Sequence, residues 1–167
     1  ITVPPSLHDA ASHLSSICPV MAKLVSQHRP PQIDAVRPEA YFDVLVTSIV
    51  GQQLSVRAAD TIEARLRELL GALTPEDVLG ADDEALRAVG LSRSKVTYTK
   101  ALAAAFSDGL INPHDLEHLA DDDVVSRLVT VKGVGPWTAE MFLIFGLGRL
   151  DVWSPGDLGL RRTLEHF

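Results

Sequence analysis

The sequence predicts an all-α fold, and three observations lead to this prediction. Apolar residues recur at spacings of three and four along most of the 167 residues, as on one face of a helix. Turn signals interrupt these runs at roughly ten- to twenty-residue intervals. Extended alternating runs of Val, Ile and Thr, which are typical of strands, are scarce. With 46% apolar and 22% charged residues, the chain has enough apolar side chains for a core.

The longer helices are predicted from their end signals, taken in chain order. The first covers residues 39–50, which follow a proline. The second covers residues 55–70 and ends at Gly71, because glycine favours the backbone conformation that closes a helix. A third covers residues 94–106 and closes at the Asp-Gly pair that follows it.

Three short segments share the form of a helix start. Each has a polar N-cap, proline at the first helical position and an acid at the third. They are Thr74-Pro75-Glu76-Asp77, Asn112-Pro113-His114-Asp115 and Ser154-Pro155-Gly156-Asp157. On this pattern alone, Asp157 is an acid at the third position of a capped helix.

The charge distribution decides which partners remain plausible. The formal net charge of −7 weighs at first against nucleic acid. However, residues 76–84 and 115–123 each hold five acids and no base, and without those ten acids the net charge is +3. Acids at solvated helix starts are favoured by the helix dipole. The remaining surface therefore keeps room for a local phosphate site.

Other functional classes are disfavoured by composition. The single cysteine, Cys18, excludes a disulfide framework and a zinc site made of cysteines alone. The longest strongly apolar stretch, residues 41–50, is far too short to span a membrane, so no membrane association is expected. No secretion signal is visible. We therefore expect a cytoplasmic or nucleoid location, or a nuclear one in a eukaryote.

Residues 128–147 predict a hairpin of two helices. A helix ends at Leu128, Gly133 and Gly135 form a Gly-x-Gly turn, and a second helix covers residues 136–147. The glycines let backbone N–H groups approach a partner, and the second helix adds its own free N–H groups. Together they suit one DNA phosphate, to which Thr138 would add a hydroxyl. A plain tight turn between helices is the alternative.

This hairpin and two other segments resemble those of one protein family. Residues 131–139 (VKGVGPWTA) resemble the helix-hairpin-helix of DNA repair glycosylases. Residues 151–161 (DVWSPGDLGLR) resemble the segment that carries their catalytic aspartate, and residues 48–59 (SIVGQQLSVRAA) resemble a third signature. The chain is identified as a member of the helix-hairpin-helix (HhH-GPD) glycosylase superfamily. It resembles the alkylation-repair branch, of the 3-methyladenine DNA glycosylase II type, over residues 41–162.

The resemblance implies a particular domain organisation. Residues 1–167 would form a single helical glycosylase domain with two lobes and the hairpin at about 128–147. This compact form would lack the N-terminal β domain of the long bacterial form. Relatives continue with further helices after the catalytic aspartate, so such C-terminal helices are expected to be missing after Phe167. A monomer is expected.

The resemblance also assigns the chemistry. Asp157 would stabilise the positive charge that develops on the deoxyribose as the base leaves. Relatives that also cut the backbone form a Schiff base with a lysine, and Trp137 takes the place of that lysine here. This implies a monofunctional enzyme that uses water and leaves an abasic site. Its partner would be double-stranded DNA with alkylated purines, of the 3-methyladenine or 7-methylguanine type.

The resemblance also assigns the base pocket and the wedge, meaning the residues that fill the space left by the extruded nucleotide. Trp137 resembles the family's pocket aromatic, whose face attracts a cationic purine by about 0.5–2 kcal/mol. Met141 and Trp153 are further pocket candidates. Core packing is the alternative for both tryptophans. Gln53 and Leu54 would enter the minor groove and fill the space of the extruded nucleotide. The alternative for them is an ordinary loop between helices.

The remaining candidates concern phosphates and ions. Four basic side chains are weaker phosphate candidates: Arg57, Lys95, Arg161 and Arg162. No cofactor is required, although family hairpins often hold Na or K through backbone carbonyls, which here would be those of Val129, Val131 and Val134. Two other functions stay open. One is a glycosylase for another base lesion, and the other is a non-catalytic DNA-binding module, which the presence of Asp157 disfavours.

Overall fold

The structure is a computed structural model that describes residues 6–29 and 31–165. In these residues it contains helices and turns and no strand, so the predicted all-α fold is confirmed. A 3₁₀ turn at Pro38–Ala40 leads into the third helix. The α-helices are α1 (Leu7–Ile17), α2 (Pro19–Gln27), α3 (Tyr41–Gly51), α4 (Val56–Leu70), α5 (Pro75–Gly80), α6 (Asp83–Ala88), α7 (Arg93–Ser107), α8 (Pro113–Leu116), α9 (Asp121–Leu128), α10 (Pro136–Phe145) and α11 (Leu158–Leu164).

The ends of the longer helices agree with the sequence signals. Ser55 caps α4 by accepting the N–H of Ala58, and Gly71 closes it with φ at 77°. Helix α7 extends one residue beyond its predicted span at each end. The second hairpin helix, α10, ends at Phe145, two residues before its predicted end. The sequence therefore locates most of the scaffold that holds the site.

Of the three predicted short helix starts, the last is wrong. Thr74 and Asn112 cap α5 and α8 as predicted, each by accepting a backbone N–H of the first turn. Helix α11, however, begins at Leu158, and Asp157 is its N-cap rather than its third residue. Ser154 does not cap a helix, because it is buried and its hydroxyl donates to the carboxylate of Glu140. The Asp157 side chain therefore caps α11 by accepting the backbone N–H of Leu160.

The core lies where α3 packs between α7 and α10. The ring of Tyr41 meets the ring of Phe142 edge to face at 5.0 Å. The Leu45 and Leu102 side chains are fully buried in the same cluster. This packing brings the end of α3 close to the start of α10, so the loop after α3 and the hairpin turn become neighbours.

Two N-terminal helices were not predicted. Helices α1 and α2 pack on each other, and neither contains a buried residue. Ser6 starts α1 through a capping box with Asp9, in which each side chain bonds the backbone N–H of the other. Aspartate in place of the usual glutamate or glutamine makes this start signal weak.

Helices α3 and α4 are joined by an ionic contact. The guanidinium of Arg67 donates to both carboxylate oxygens of Asp43, at 2.9 and 2.7 Å, and to Glu63 at 2.7 Å. Asp43 lies in the first turn of α3, while Glu63 precedes Arg67 by one turn of α4. Residues 52–55 form the loop that connects these two helices. The bidentate hydrogen bonds stabilise the packing of one helix on the other.

Candidate active site

The carboxylate of Asp157 is held by two donors from different elements. The indole Nε1 of Trp137, in the first turn of α10, donates to Oδ2 at 2.7 Å. The backbone N–H of Leu160, in the first turn of α11, donates to Oδ1 at 2.7 Å. Each oxygen accepts one protein hydrogen bond and keeps lone-pair capacity for another partner. Asp157 and Trp137 are both half-buried, so the carboxylate is fixed but accessible.

These contacts keep the carboxylate ionised. The backbone N–H of Leu160 and then the indole of Trp137 lower the pKa of Asp157, and the smaller effect of burial opposes them. A carboxylate with a lowered pKa carries its negative charge at neutral pH. Such a fixed charge is suited to stabilising a cation that forms beside it.

A buried contact holds the loop that presents Asp157. The Ser154 side chain is only 4% exposed, and its hydroxyl donates to the carboxylate of Glu140 on α10. The Asp157 N–H in turn donates to the Ser154 carbonyl at 3.1 Å. Sequence analysis did not identify Glu140. The available signal was a single charged residue in the mainly apolar α10.

The hairpin turn depends on its first glycine for packing. Gly133 has φ at 92°, and a Cβ placed there would lie 2.1 Å from the Tyr98 ring. Gly135 is different, because its backbone is extended and a Cβ there would meet open space. Helix α10 starts directly after it, with its first-turn N–H groups unpaired within the helix. Gly133 therefore shapes the turn, while the space at Gly135 is available to a partner.

The Thr138 hydroxyl differs from its predicted role at a phosphate. Thr138 is only 2% exposed, and its Oγ1 accepts a hydrogen bond from Gln52 Nε2 at 3.0 Å. A hydroxyl that is buried and already bonded does not face an incoming DNA strand. Its place in the structure is to join the hairpin helix to the loop after α3.

That loop carries the two predicted wedge residues at its tip. Gln53 has φ at 59°, and it is the one residue other than glycine with positive φ in the part of the chain that the structure describes. Leu54 follows it and is 40% exposed. Both side chains therefore project from the surface near the hairpin.

Lys95 does not occupy the position of a phosphate contact. Its Nζ donates to the carbonyls of Val50 and Gln52, each at 2.7 Å. Burial lowers the pKa of this amine. Its donors are turned inwards onto the end of α3. The prediction of a phosphate contact at Lys95 is therefore wrong.

The other predicted residues lie around this centre. Met141 is half-buried one turn after Trp137. Trp153 is 64% exposed, so the alternative of core packing is wrong for it. Arg57, Arg161 and Arg162 are exposed.

The three predicted ion ligands follow the end of α9. Val131 and Val134 are buried, and the Val131 carbonyl accepts the Val134 N–H at 3.0 Å. Val129 is exposed at the C-cap of α9. Across the described ranges, no three His, Cys, Asp or Glu side chains are grouped as metal ligands would be. Within the same ranges, no helix combines the length and the apolar character needed to traverse a bilayer.

Comparison with known proteins places these features in context. A family model described as "HhH-GPD superfamily base excision DNA repair protein" matches residues 46–167. The chain is 34% identical to DNA-3-methyladenine glycosylase 1 of Schizosaccharomyces pombe over 168 residues, covering 96% of this chain and 73% of that protein. It is 39% identical to the DNA-3-methyladenine glycosylase of Saccharomyces cerevisiae, covering 77% of this chain but 47% of that protein.

A solved structure gives a similar result. The 3-methyladenine DNA glycosylase of Schizosaccharomyces pombe, in complex with abasic DNA, superposes with a TM-score of 0.84 at 32% identity. The match covers 93% of this chain and 78% of that chain. The chain thus spans about three quarters of the fission yeast relative and about half of the budding yeast relative.

Proposed function

Because the chain belongs to the HhH-GPD superfamily of base excision DNA repair proteins, we propose that it is a monofunctional DNA glycosylase that removes alkylated purines. The observation that carries this proposal is the accessible Asp157 carboxylate, held by the indole N–H of Trp137 at 2.7 Å. The names of the yeast relatives point to the same class of substrate. The product would be an abasic site and a free base.

The reaction needs little beyond a fixed negative charge. The bond between deoxyribose C1′ and the purine nitrogen breaks, and its electron pair leaves with the base. An alkylated purine is cationic, so it leaves as a neutral molecule without needing an acid. Asp157 stabilises the positive charge on the sugar, water adds at C1′, and the carboxylate or solvent takes the released proton.

The same geometry favours hydrolysis over backbone cleavage. A lyase needs an amine beside the sugar carbon to form a Schiff base. The side chain that contacts Asp157 is the indole of Trp137, which has no such chemistry. Lys132 is exposed on the hairpin turn, before Gly133. Trp137 and Met141 would line the pocket, with the exposed Trp153 as a further contact for the extruded base.

The DNA contacts follow from the hairpin and the loop after α3. Backbone N–H groups near Gly133 and Gly135 would hold one phosphate. The exposed Arg57, Arg161 and Arg162 would be weaker contacts to other phosphates. Gln53 and Leu54 would fill the space of the extruded nucleotide.

An ion and a cellular setting complete the proposal. The backbone carbonyls of Val129, Val131 and Val134 would hold Na or K, since oxygen donors of this kind suit such an ion. The ion would order the turn beside the phosphate. The protein would act as a monomer wherever chromosomal DNA is found, in the cytoplasm and nucleoid or in a nucleus.

The proposal is tested by measuring released bases and strand breaks separately. Wild type and Asp157→Asn are incubated with duplex DNA that carries 3-methyladenine or 7-methylguanine. Asparagine caps helices as well as aspartate does, so the variant should keep the start of α11. Its amide nitrogen cannot accept from the Trp137 indole, so it loses that hydrogen bond together with the charge. Loss of the charge should reduce the rate of base release by about 10²–10³-fold.

The outcomes separate the alternatives. Release of free base by wild type without strand breaks before alkali would support the proposal. Breaks before alkali would show a lyase. Release of a base only from parallel duplexes that carry a deaminated or oxidised base would favour the other-lesion enzyme. Duplex binding without release of any base would favour the non-catalytic module.

A further inference from the structure

We propose that Gln52 and Lys95 are positioning residues that hold the wedge segment, Gln53 and Leu54, in fixed register with the phosphate-binding hairpin. This inference rests on the proposed function, because it takes the hairpin as the DNA anchor and Leu54 as the wedge. Neither Gln52 nor Lys95 needs to touch the damaged base. Their role is to set how far Leu54 reaches into the DNA minor groove when the hairpin holds a phosphate of the DNA backbone.

Gln52 joins two segments that are far apart in the chain. Its Nε2 donates to the Gly133 carbonyl at 3.0 Å and to Thr138 Oγ1 at 3.0 Å. Gly133 belongs to the hairpin turn, and Thr138 lies in the first turn of α10. Both amide hydrogens of Gln52 are thus used on the two elements that form the proposed phosphate site. The residue immediately before the wedge is thereby tied to the anchor.

Lys95 fixes the same loop from a second helix, α7. Its Nζ bridges the carbonyls of Val50 and Gln52, at the end of α3, where helix carbonyls have no partner in the helix itself. The ammonium group also suits the negative end of the helix dipole. Lys95 comes from α7, a core helix, so the loop is attached to the rigid part of the molecule.

The backbone of the wedge explains why such support is needed. Gln53 has φ at 59°, in the left-handed region that residues with a Cβ adopt only at a cost. Strained backbone persists when the surroundings over-determine it. The carbonyl of Gln52 is bonded to Lys95 and its side chain is bonded to the hairpin, so the residue before Gln53 is held at both ends. The strained turn presents Leu54 outwards at 40% exposure.

The test measures wedge insertion without relying on base release. The probe is a duplex with a tetrahydrofuran abasic site opposite 2-aminopurine, compared with an undamaged duplex of the same sequence. Insertion of the wedge changes the stacking of 2-aminopurine and therefore its fluorescence. The variants are Gln52→Leu and Lys95→Met, each alone and combined with Leu54→Ala. The matched controls are Gln27→Leu and Lys23→Met, both at exposed positions of α2.

We expect Gln52→Leu and Lys95→Met each to lower the preference for abasic over undamaged duplex by about tenfold. Affinity for undamaged duplex should stay within about twofold, because the hairpin is retained. In the Leu54→Ala background neither substitution should reduce the preference further, since no wedge remains to be positioned. Lys95→Arg should retain most of the preference, because it keeps donors at a similar reach.

Gln52→Glu provides a second test if Gln52→Leu does not fold. An ionised glutamate has no donor for the Gly133 carbonyl, whereas the protonated form regains one. Its abasic preference, relative to wild type at each pH, should therefore recover as the pH falls. A preference that does not change with pH would count against the proposal.

Two results would overturn the inference. One is that the effects of Gln52→Leu and Leu54→Ala multiply, which would mean that the two side chains act independently. The other is an equal loss of binding to both duplexes, which would indicate general damage to the fold. A further outcome is that the variants show the expected changes in abasic preference while the wild type releases no methylated purine. That result would overturn the proposed function but would still support the positioning role of Gln52 and Lys95.

Discussion

The indole N–H of Trp137 donates to the carboxylate of Asp157 across 2.7 Å, joining the first turn of α10 to the start of α11. This hydrogen bond stabilises the charged form of the carboxylate. In the proposed function the same tryptophan would also take the place of the amine that a lyase requires. One side chain would then influence both the type of reaction and the electrostatics of the site.

The first prediction concerns the pH dependence of Asp157. Hydrogen bonds from Leu160 and then from Trp137 lower its pKa, so the ionised form persists to lower pH than in an ordinary aspartate. Trp137→Phe removes the second of these bonds and should raise the pKa towards its ordinary value of about 3.9. The acid limb of the pH–activity profile that is due to Asp157 should then move to higher pH. An NMR titration of the carboxyl carbon would measure the change directly.

The same shift has a consequence for stability. A lowered pKa in the folded state means that the carboxylate stabilises the fold at pH values above its unfolded pKa. This stabilisation is lost as the pH falls through the folded pKa, and Trp137→Phe should reduce it. Trp153→Phe is the matched control, because Trp153 is 64% exposed and lies apart from this hydrogen bond. Identical carboxyl titrations in both variants would contradict the prediction.

A second prediction separates the two glycines of the hairpin. Gly133→Ala should reduce the free energy of unfolding by about 2–4 kcal/mol, because alanine is strained at φ 92° and its Cβ would overlap the Tyr98 ring. Gly135→Ala should change stability by less than about 1 kcal/mol, since its Cβ enters open space. It should instead weaken DNA binding, because the methyl group occupies the proposed phosphate position. Chemical denaturation and duplex affinity measure the two effects.

The third prediction concerns the loop that presents Asp157. Ser154→Ala removes the buried donor to Glu140 and should cost about 1–3 kcal/mol of stability. Displacement of Asp157 should also lower kcat by about tenfold, because small misplacements of a reacting group are costly. KM should change little, since the hairpin is untouched. Ser126→Ala, at an exposed site on α9, is the control. Full kcat in a destabilised Ser154→Ala variant would show that the contact is only structural.

The fourth prediction tests the contact between α3 and α4. Arg67→Ala removes the bidentate bond to Asp43, and it should reduce the free energy of unfolding by about 1 kcal/mol. The side chains of Arg67 and Asp43 are 39% and 31% exposed, so solvent screening keeps the effect modest. High salt should diminish it. Arg65→Ala, an exposed neighbour on α4, should leave stability unchanged in urea denaturation.

The sequence predicts the parts of the site that are encoded locally. The hairpin glycines and the position of Asp157 after α10 follow from short motifs that specify backbone shape and chemistry together. The same motifs locate the helix ends at Ser55 and Gly71, because capping is decided by a few adjacent residues. Composition and the spacing of apolar residues are sufficient to predict the all-α class.

The remaining features depend on contacts between distant segments. Gln52 bonds Thr138, 86 residues later, and nothing in the sequence near either residue indicates this. Burial of the Thr138 hydroxyl and the inward turn of Lys95 arise from the same packing. Asp157, and not Ser154 as predicted, is the N-cap of α11. The Ser154 hydroxyl is bonded to Glu140, 14 residues earlier in the chain, and so does not cap a helix. Local patterns give the order of helices, whereas tertiary packing decides where polar side chains point.

The edge-to-face contact between Tyr41 and Phe142 joins residues about a hundred positions apart in the chain. During synthesis α3 therefore leaves the ribosome long before α10 exists, and the side of α3 that α10 covers stays exposed until then. Closing so long a loop is slow relative to forming the local helices. The contacts of Gln52 with Gly133 and Thr138 can form only after α10 has been made, so the wedge and the hairpin are joined after the earlier helices are in place.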